Sequence, residues 1–346
     1  MNNNKKKKII KEKNLGVQIL RNILCFYVVI DHSLTYQIKI SYIFFRYRLH
    51  VPCFIIIAFF FSHRVISERN CFKIIQRFER LLIPYIIFPI LLLFINNLSF
   101  IFFKISFFGR LIILNDLYTQ LIIGRGILNV FWFQFYLIIN TLLFVIISFL
   151  LRKIYLFVIL HIYIISYIIK YKNNYFDFFM QFHTIVQESV GQIIEVIPMS
   201  VSGSLLAHSN ILPIIRKNNY NKLIIYFSLI TLFVIFKYGI FTDIRKIAFC
   251  GIIVDIGSIL LFIIFYLIPF NNIKSQQLEK ILLNITKYSQ GIYSLHLIIM
   301  YSLESKINSI KKKFFSGGLI IYIVSYLISF IGEKLTKKTK LVYLFI

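Results

Sequence analysis

The stretch "RNILCFYVVIDH", residues 21–32, decides the fold, because it joins an apolar stretch fit for a bilayer interior to polar, titratable side chains at both ends. It lies in an apolar run of about 20 residues, the length that a helix needs to cross the hydrocarbon core. Of the 346 residues, 59% are hydrophobic and 15% are charged, with a mean hydropathy of +0.79. A soluble domain of this composition would lack the polar residues to cover its core. The sequence therefore predicts an integral membrane protein.

Apolar runs of similar length recur along the chain, with no repeat, Gly/Ser linker or soluble domain between them. We expect an all-α polytopic protein with about ten transmembrane helices, at about 15–35, 49–62, 81–103, 130–151, 154–170, 189–207, 223–240, 247–269, 284–304 and 317–332. The third span is interrupted at Asn96 and Asn97. Lys and Arg are more frequent in one set of alternate loops, and the positive-inside rule places that side and both termini in the cytoplasm. This gives a basic cytoplasmic tail over 1–14, a transmembrane domain over 15–332 and a cytoplasmic C-terminal tail over 333–346.

The net charge of +26 would indicate a nucleic-acid partner in a soluble protein. Here the basic residues lie between apolar runs, where they set topology, so we expect a lipid bilayer and no nucleic acid as partner. The cysteines are scattered and lack the spacing of metal ligands or of a disulfide framework. No metal site is expected.

Arg21 and His32 lie eleven residues apart, which places them on one helix face, about 20° apart around the axis and roughly 16 Å apart along it. With Gln18 and Cys25 they form a stripe that should face the protein interior, because a central arginine costs about 2.5–3.5 kcal/mol on insertion scales. The stripe indicates either a functional polar cavity or a structural ion pair with an acid on another span. Asp31 points about 100° away from His32 and is not its obvious partner.

A second cluster, "RFERLLIPY", stands where the third span begins. Arg77 and Arg80 are three residues apart and share a helix face, where two guanidinium groups can grip phosphates through bidentate hydrogen bonds. The alternative is charge that only sets topology beside a span.

A third cluster, "YSQGIYSLHLIIM", lies in the ninth span, where His296 faces the same way as Ser289 and Tyr293. This histidine is either functional or a hydrogen-bonded packing residue. Intramembrane acids on two further spans, Glu195 and Asp255, are the expected counter-ions of Arg21.

Together these segments resemble the membrane-bound acyltransferase 3 family, which includes O-antigen, capsule and exopolysaccharide O-acetyltransferases. That family has an arginine eleven residues before a histidine in its first span, as Arg21 and His32 are here. Further segments resemble its later conserved stretches in the same order: "HVPCFIIIAFFF" (50–61), "RFERLLIPY" (77–85), "VFWFQFYLI" (130–138) and "SQGIYSLH" (289–296). The chain departs from the family in having Ile57-Ala58 for Ser-Gly and Leu297 for a frequent proline.

The resemblance implies a membrane O-acyltransferase that moves an acyl group, most often acetyl, from acyl-CoA to a hydroxyl of a cell-surface glycan or its undecaprenyl-linked precursor. It implies a catalytic role for His32, as general base or acyl carrier, and for Arg21, which would stabilise the donor or an oxyanion. Arg77 and Arg80 would bind acyl-CoA, a co-substrate, and no cofactor would be bound permanently. Substrate-binding or supporting roles fall to His296, Tyr293, Trp132, Glu195 and Asp255.

The location implied is the bacterial inner (cytoplasmic) membrane. The alternatives are a polysaccharide flippase, polymerase or other sugar transporter without acyl transfer, and a non-enzymatic export partner. The sequence leaves the oligomeric state open.

Overall fold

The computed structural model describes residues 14–33, 49–103, 111–124, 132–171, 184–209, 211–217, 220–239, 252–269, 276–304 and 314–346. In these ranges the regular structure is helical and contains no strand, so the all-α prediction is confirmed there. The α-helices are, in order, α1 (Leu15–Ser33), α2 (His50–Ser67), α3 (Cys71–Phe103), α4 (Leu114–Ile123), α5 (Trp132–Leu150), α6 (Tyr155–Tyr171), α7 (Thr184–His208), α8 (Ile211–Lys217), α9 (Asn221–Gly239), α10 (Ile252–Leu267), α11 (Gln276–Lys287), α12 (Ser289–Glu304) and α13 (Phe314–Thr336). Short 3₁₀ helices span Arg152–Ile154 and Lys340–Leu344. The expected basic tail over 1–14 lies outside the described residues except for Asn14.

Each of the ten expected spans overlaps one of these helices. By length and composition, five helices in the described ranges can cross a membrane: α1, α2, α3, α5 and α13 from Gly317 onward. Shorter apolar helices cover Val196–His208, Asn221–Ile235 and Val254–Leu267.

The expected interruption of the third span is absent, because α3 continues through the two asparagines. The Asn97 side chain forms two hydrogen bonds with the backbone of Ile112. Its Oδ1 accepts from the N–H at 2.9 Å, and its Nδ2 donates to the carbonyl oxygen at 2.8 Å. Nearer the N-terminus of α3, the Tyr85 hydroxyl donates to the carbonyl oxygen of Leu121 at 3.0 Å. The short helix α4 therefore folds back along α3, although none of the ten predicted spans covers it.

Helix α2 runs parallel to α5, α7 and α10. The contacts that show this are Phe54–Phe133 and Ile66–Ser148 for α5, Ile56–Gly203 and His63–His208 for α7, and Leu49–Ser258 and Phe60–Tyr266 for α10. The approach of α7 to α2 requires glycine, since a Cβ on Gly203 would collide with the carbonyl of Ile56.

Helices α1, α3 and α12 run in the opposite direction. Helix α1 is antiparallel to α2 and α13, α3 is antiparallel to α5, and α12 is parallel to α1. For α1 and α2, Tyr27 contacts His50, and Asn14 bonds to Tyr266 of α10, which packs on Phe60 in the second half of α2. The contacts for the other pairs are Ile30–Gly318 with Phe26–Tyr322, Arg77–Thr141 with Tyr85–Phe135, and Arg21–Ser289 with His32–His296. The described helices with such contacts therefore form two antiparallel sets.

Two apolar clusters build the core, and α1 lies between them. Leu20 and Leu24 belong to the larger cluster, with side chains of α2, α5, α7 and α10. Cys25 and Val29 belong to the smaller one, with side chains of α3, α12 and α13. The polar side chains of α1 therefore lie at a seam next to α12.

Residues 333–346, expected as a cytoplasmic tail, fold back onto the helices. Helix α13 continues to Thr336, and Glu333 forms an ion pair with Lys287. The second 3₁₀ helix packs against α3, where Lys340 forms an ion pair with Glu79.

Candidate active site

Arg21 joins α1 to the first turn of α12. Its Nη2 donates to the Ser289 hydroxyl at 2.8 Å, and the thiol of Cys25 lies 3.4 Å from the Ser289 carbonyl oxygen. Arg21 is half-buried and Cys25 is buried, as the stripe on α1 predicted. The Arg21 guanidinium is therefore fixed by a hydroxyl group.

The contact of Arg21 with Ser289 corrects the expectation that Asp255 is its counter-ion. No ion pair joins Arg21 to Asp255 in the described part of the chain, and Asp255 is buried on α10. The reason is the face of α1: Leu20 belongs to the cluster shared with α10, whereas Arg21 points toward α12. The side chain of Glu195 lies outside the described part of the structure.

His32 stands in the last turn of α1, and its ring lies beside His296 with the ring centroids 5.2 Å apart. The ring is exposed, whereas the sequence predicted that the whole stripe faces the interior. The difference arises because the apolar clusters take their last α1 members at Val28 and Val29, before His32 is reached. The stripe is thus covered at Cys25 and opens at His32, where a substrate can approach.

His296 is fully buried, and its two ring nitrogens have different surroundings. Nδ1 lies 2.6 Å from the backbone carbonyl oxygen of Tyr293, whereas Nε2 has no hydrogen-bond partner among the described residues. A carbonyl only accepts, so Nδ1 carries the proton and Nε2 presents a lone pair. His296 therefore offers a buried acceptor next to the exposed ring of His32.

Aromatic side chains form a wall beside the two histidines. The ring of Tyr293 lies 5.9 Å from that of His296 and 5.5 Å from that of Phe133. Trp132, the first residue of α5, packs against Phe133 and Tyr136. Of the predicted supporting residues, Tyr293 thus lies beside His296, where it can exclude water, whereas Trp132 is linked to Tyr293 through Phe133.

Arg77 and Arg80 point to different sides of α3. Arg77 donates through Nε and Nη2 to the Thr141 hydroxyl, at 3.3 Å each, between α2 and α5. Arg80 is exposed and lies over the ring of Tyr343 at 5.7 Å. Three residues along a helix leave about 60° between side chains, which is enough to separate the two surroundings. The predicted shared face therefore holds only in part.

The first turn of α12 connects these groups, a role that the sequence did not reveal. Ser289 accepts from Arg21, and the next residue, Gln290, donates to the backbone carbonyl of Arg80 at 2.9 Å. Two turns later on the same helix, His296 contacts His32. Ser289 shares the helical spacing of His296, which was the one signal in the sequence for its position.

The arrangement can bind an anionic ligand at the guanidinium groups and move a proton at the histidines. Groups of three or more side chains able to hold a metal ion are absent from the described ranges. The two histidines offer acid–base chemistry at imidazole.

Comparison with protein families matches residues 14–334 to the acyltransferase 3 model, whose description is an acyltransferase domain. Comparisons with curated proteins and with solved structures find no match. The matched region begins just before α1 and ends within α13, so it includes Arg21, His32 and His296. The chain therefore belongs to the acyltransferase 3 family.

Proposed function

We propose that the protein is a membrane-embedded O-acyltransferase that moves an acetyl group from acetyl-CoA to a hydroxyl of a cell-surface glycan or of its lipid-linked precursor. The family match supports acyl transfer. The observation that carries the finer proposal is the seam between α1 and α12, with Arg21 on Ser289 at one depth and His32 beside His296 at another. A donor-binding cation and a proton-transfer pair are thus arranged along one line.

The helix directions support an even number of spans, with both termini on the same side of the membrane. Alternating spans would put α1, α3 and α12 in one direction and α2, α5, α7, α10 and α13 in the other, and the contacts are consistent with this. With the basic N-terminus in the cytoplasm, Arg21 and Arg80 lie toward the cytoplasmic side and His32 toward the outer side. A bacterial inner membrane then has acyl-CoA on the side of the arginines and a glycan acceptor on the side of His32.

In the proposed reaction His32 acts as general base. Its unprotonated nitrogen takes the proton of the sugar hydroxyl while the sugar oxygen bonds to the thioester carbonyl carbon. The carbon–sulfur bond then breaks, and the imidazolium returns the proton to the leaving thiolate. General base catalysis of this kind contributes about 10²–10⁴-fold.

His296 acts in this scheme as a positioning residue. Its Nδ1–H is engaged by the Tyr293 carbonyl, so Nε2 can accept a hydrogen bond from the N–H of His32. That bond would orient the ring of His32 and stabilise its imidazolium form.

Arg21 binds the acyl-CoA donor and does not stabilise the oxyanion. It is fixed on Ser289, which precedes His296 by seven residues, or about 10 Å along α12. An oxyanion donor must lie about 2.7–3.1 Å from the charge that it stabilises. A carbonyl that reacts beside His32 is therefore beyond its reach, whereas an extended thioester can contact both residues.

The test is glycan O-acetylation in cells that produce wild type, His32→Ala or His161→Ala at equal membrane levels. His161 is an exposed histidine on α6 and serves as the matched control. Base-labile acetate, measured by mass spectrometry of the surface polysaccharide, should be kept by His161→Ala and fall at least about 100-fold in His32→Ala. Wild-type acetylation in His32→Ala would refute the assigned base.

The same cells separate the proposal from a sugar transporter. A transporter would change how much glycan reaches the surface and leave its acetate content unchanged. Purified protein incubated with radiolabelled acetyl-CoA and lipid-linked glycan gives the direct test, since a transporter transfers no label.

A further inference from the structure

A second candidate site lies where α2, α5 and α7 end, at a cavity of about 690 Å³. Its polar wall consists of three cations, three hydroxyl groups and one imidazole: Arg69, Arg152 and Lys153; Ser67, Ser148 and Tyr155; and His208. None of the residues lining it is Asp or Glu. Basic residues are expected near the cytoplasmic ends of spans, so charge alone does not make this cavity a site.

Arg69 follows the C-terminus of α2 and closes it. Its φ of 55° lies in the left-handed region, and its own N–H and that of Asn70 donate to the carbonyls of Ile66 and Val65, the hydrogen bonds of a helix C-cap. Its guanidinium reaches back to the end of α5 and donates to the carbonyl of Ser148. Nε of the same guanidinium is buried and has no hydrogen-bond partner among the described residues. The fold thus holds this cation at the cavity wall with part of its donor capacity unused.

Two further cations flank the cavity without neutralisation. Arg152 and Lys153 form the 3₁₀ turn between α5 and α6, and both are exposed. Neither side chain forms a hydrogen bond or ion pair in the part of the chain that the structure describes. Nearby Glu68 pairs with Arg64, Oε1 to Nε at 2.6 Å. The positive charges of Arg152 and Lys153 therefore remain available to an anionic ligand.

Buried polar groups behind these cations also lack partners. The Tyr155 hydroxyl is buried and makes no hydrogen bond within the described ranges, and the same holds for Nδ1 of His63. The Tyr155 ring stacks on His63, whose Nε2 lies 3.3 Å from Nδ1 of His208. Buried polar atoms are nearly always paired, so the Tyr155 hydroxyl at the cavity wall can serve as a hydrogen-bonding contact for a ligand that enters the cavity.

We propose that this cavity binds a phosphate group, held by Arg69, Arg152 and Lys153 with Tyr155 and His208 as further polar contacts. Guanidinium forks match phosphate oxygens in geometry, and basic cavities between membrane helices take anionic headgroups. The phosphate can belong to an anionic phospholipid or to a soluble nucleotide.

The nucleotide source rests on the proposed function, because acyl-CoA carries such phosphates. Arg69 and Arg77 contact Ser148 and Thr141, which lie seven residues apart on one face of α5, or about 10 Å. A nucleotide in the cavity would therefore lie close to Arg77, to which the family resemblance assigns acyl-CoA binding.

The test measures binding and does not depend on acyl transfer. The full chain is placed in phosphatidylcholine nanodiscs, and its thermal midpoint is followed during titration with adenosine 3′,5′-bisphosphate. A second arm replaces one fifth of the lipid by phosphatidylglycerol. The pocket variant is Arg152→Gln with Lys153→Gln, and the control is Lys73→Gln with Lys280→Gln, which removes the same charge from exposed lysines that do not line the cavity.

A soluble ligand predicts that the bisphosphate binds the wild type and the control alike and the pocket variant at least tenfold more weakly. A lipid ligand predicts that phosphatidylglycerol raises the midpoint of wild type and control and leaves that of the pocket variant unchanged. Equal behaviour of both variants, or no effect of either ligand on the wild type, would overturn the proposal. If the pocket variant alone loses binding while no preparation transfers acetate, the cavity stands and the acyl-transfer proposal fails.

Discussion

Replacing His296 tests whether the two histidines work as a unit. The structure gives His296 one engaged nitrogen, on the Tyr293 carbonyl, and one buried nitrogen that is unpaired within the described residues, beside His32. In His296→Ala the imidazolium of His32 loses its acceptor in the transition state. A hydrogen bond to a charged group contributes about 1.5–3 kcal/mol, and about 1.4 kcal/mol corresponds to tenfold in rate. We therefore expect kcat to fall about 10- to 150-fold, with KM for acyl-CoA within twofold of wild type.

The assay is steady-state acetyl transfer by purified protein in nanodiscs, with kcat and KM measured separately. His296→Gln keeps an amide acceptor and most of the buried volume, so it should recover part of the lost rate. His161→Ala, on an exposed face, should match the wild type. A thermal midpoint close to that of wild type shows that each variant is folded.

A double-mutant cycle gives the result that would refute the reasoning. If His296 acts only through His32, the variant lacking both rings should be no slower than His32→Ala alone. Fully multiplicative losses would mean that the two histidines act independently. A kcat within about threefold of wild type in folded His296→Ala would exclude the positioning role altogether.

Three further predictions concern the donor side and the packing. Arg80→Gln should raise KM for acyl-CoA about 10- to 150-fold and leave kcat nearly unchanged, since a charge-assisted hydrogen bond contributes about 1.5–3 kcal/mol. Steady-state kinetics checks this against Lys73→Gln at an exposed position, and equal KM values would contradict it. Ser289→Ala removes the partner of Arg21 at 2.8 Å and should lower the thermal midpoint by several degrees, whereas Ser209→Ala, at an exposed position, should not. Gly332→Ala would place a Cβ against the ring of Phe345 and should release residues 339–346, seen as faster proteolysis in that segment; an unchanged digestion pattern would show that the segment is held by other contacts.

Periodicity within one helix could be predicted from the sequence, because it depends only on local geometry. The eleven-residue spacing placed Arg21 and His32 on one face, and the spacing in α12 placed Ser289 and His296 on another. Which helices become neighbours was beyond this reasoning. Asp255 was expected to pair with Arg21 on charge alone, yet Arg21 points toward α12 and bonds to Ser289.

The sequence also missed features that depend on contacts between distant segments. Helix α4 is short, and its position depends on Asn97 and Tyr85 of α3. The segment after α13 is held by the ion pair of Lys340 with Glu79. A window read along one stretch of chain contains no information on such partners.

The choice of arginine at position 21 follows from the geometry of the seam. Arg21 and His32 span eleven residues of α1, or about 16 Å, whereas Ser289 and His296 span seven residues of the parallel α12, or about 10 Å. With the two histidines level, the backbone at Arg21 lies about 6 Å beyond that at Ser289, a gap that only a long side chain can bridge while it keeps a polar head for the donor. Eleven residues make about three turns and seven make about two, so on each helix the two side chains lie on nearly the same face. The seam thus carries two polar contacts at different depths without a break in the helices, which is what a path from a donor on one side to an acceptor on the other requires.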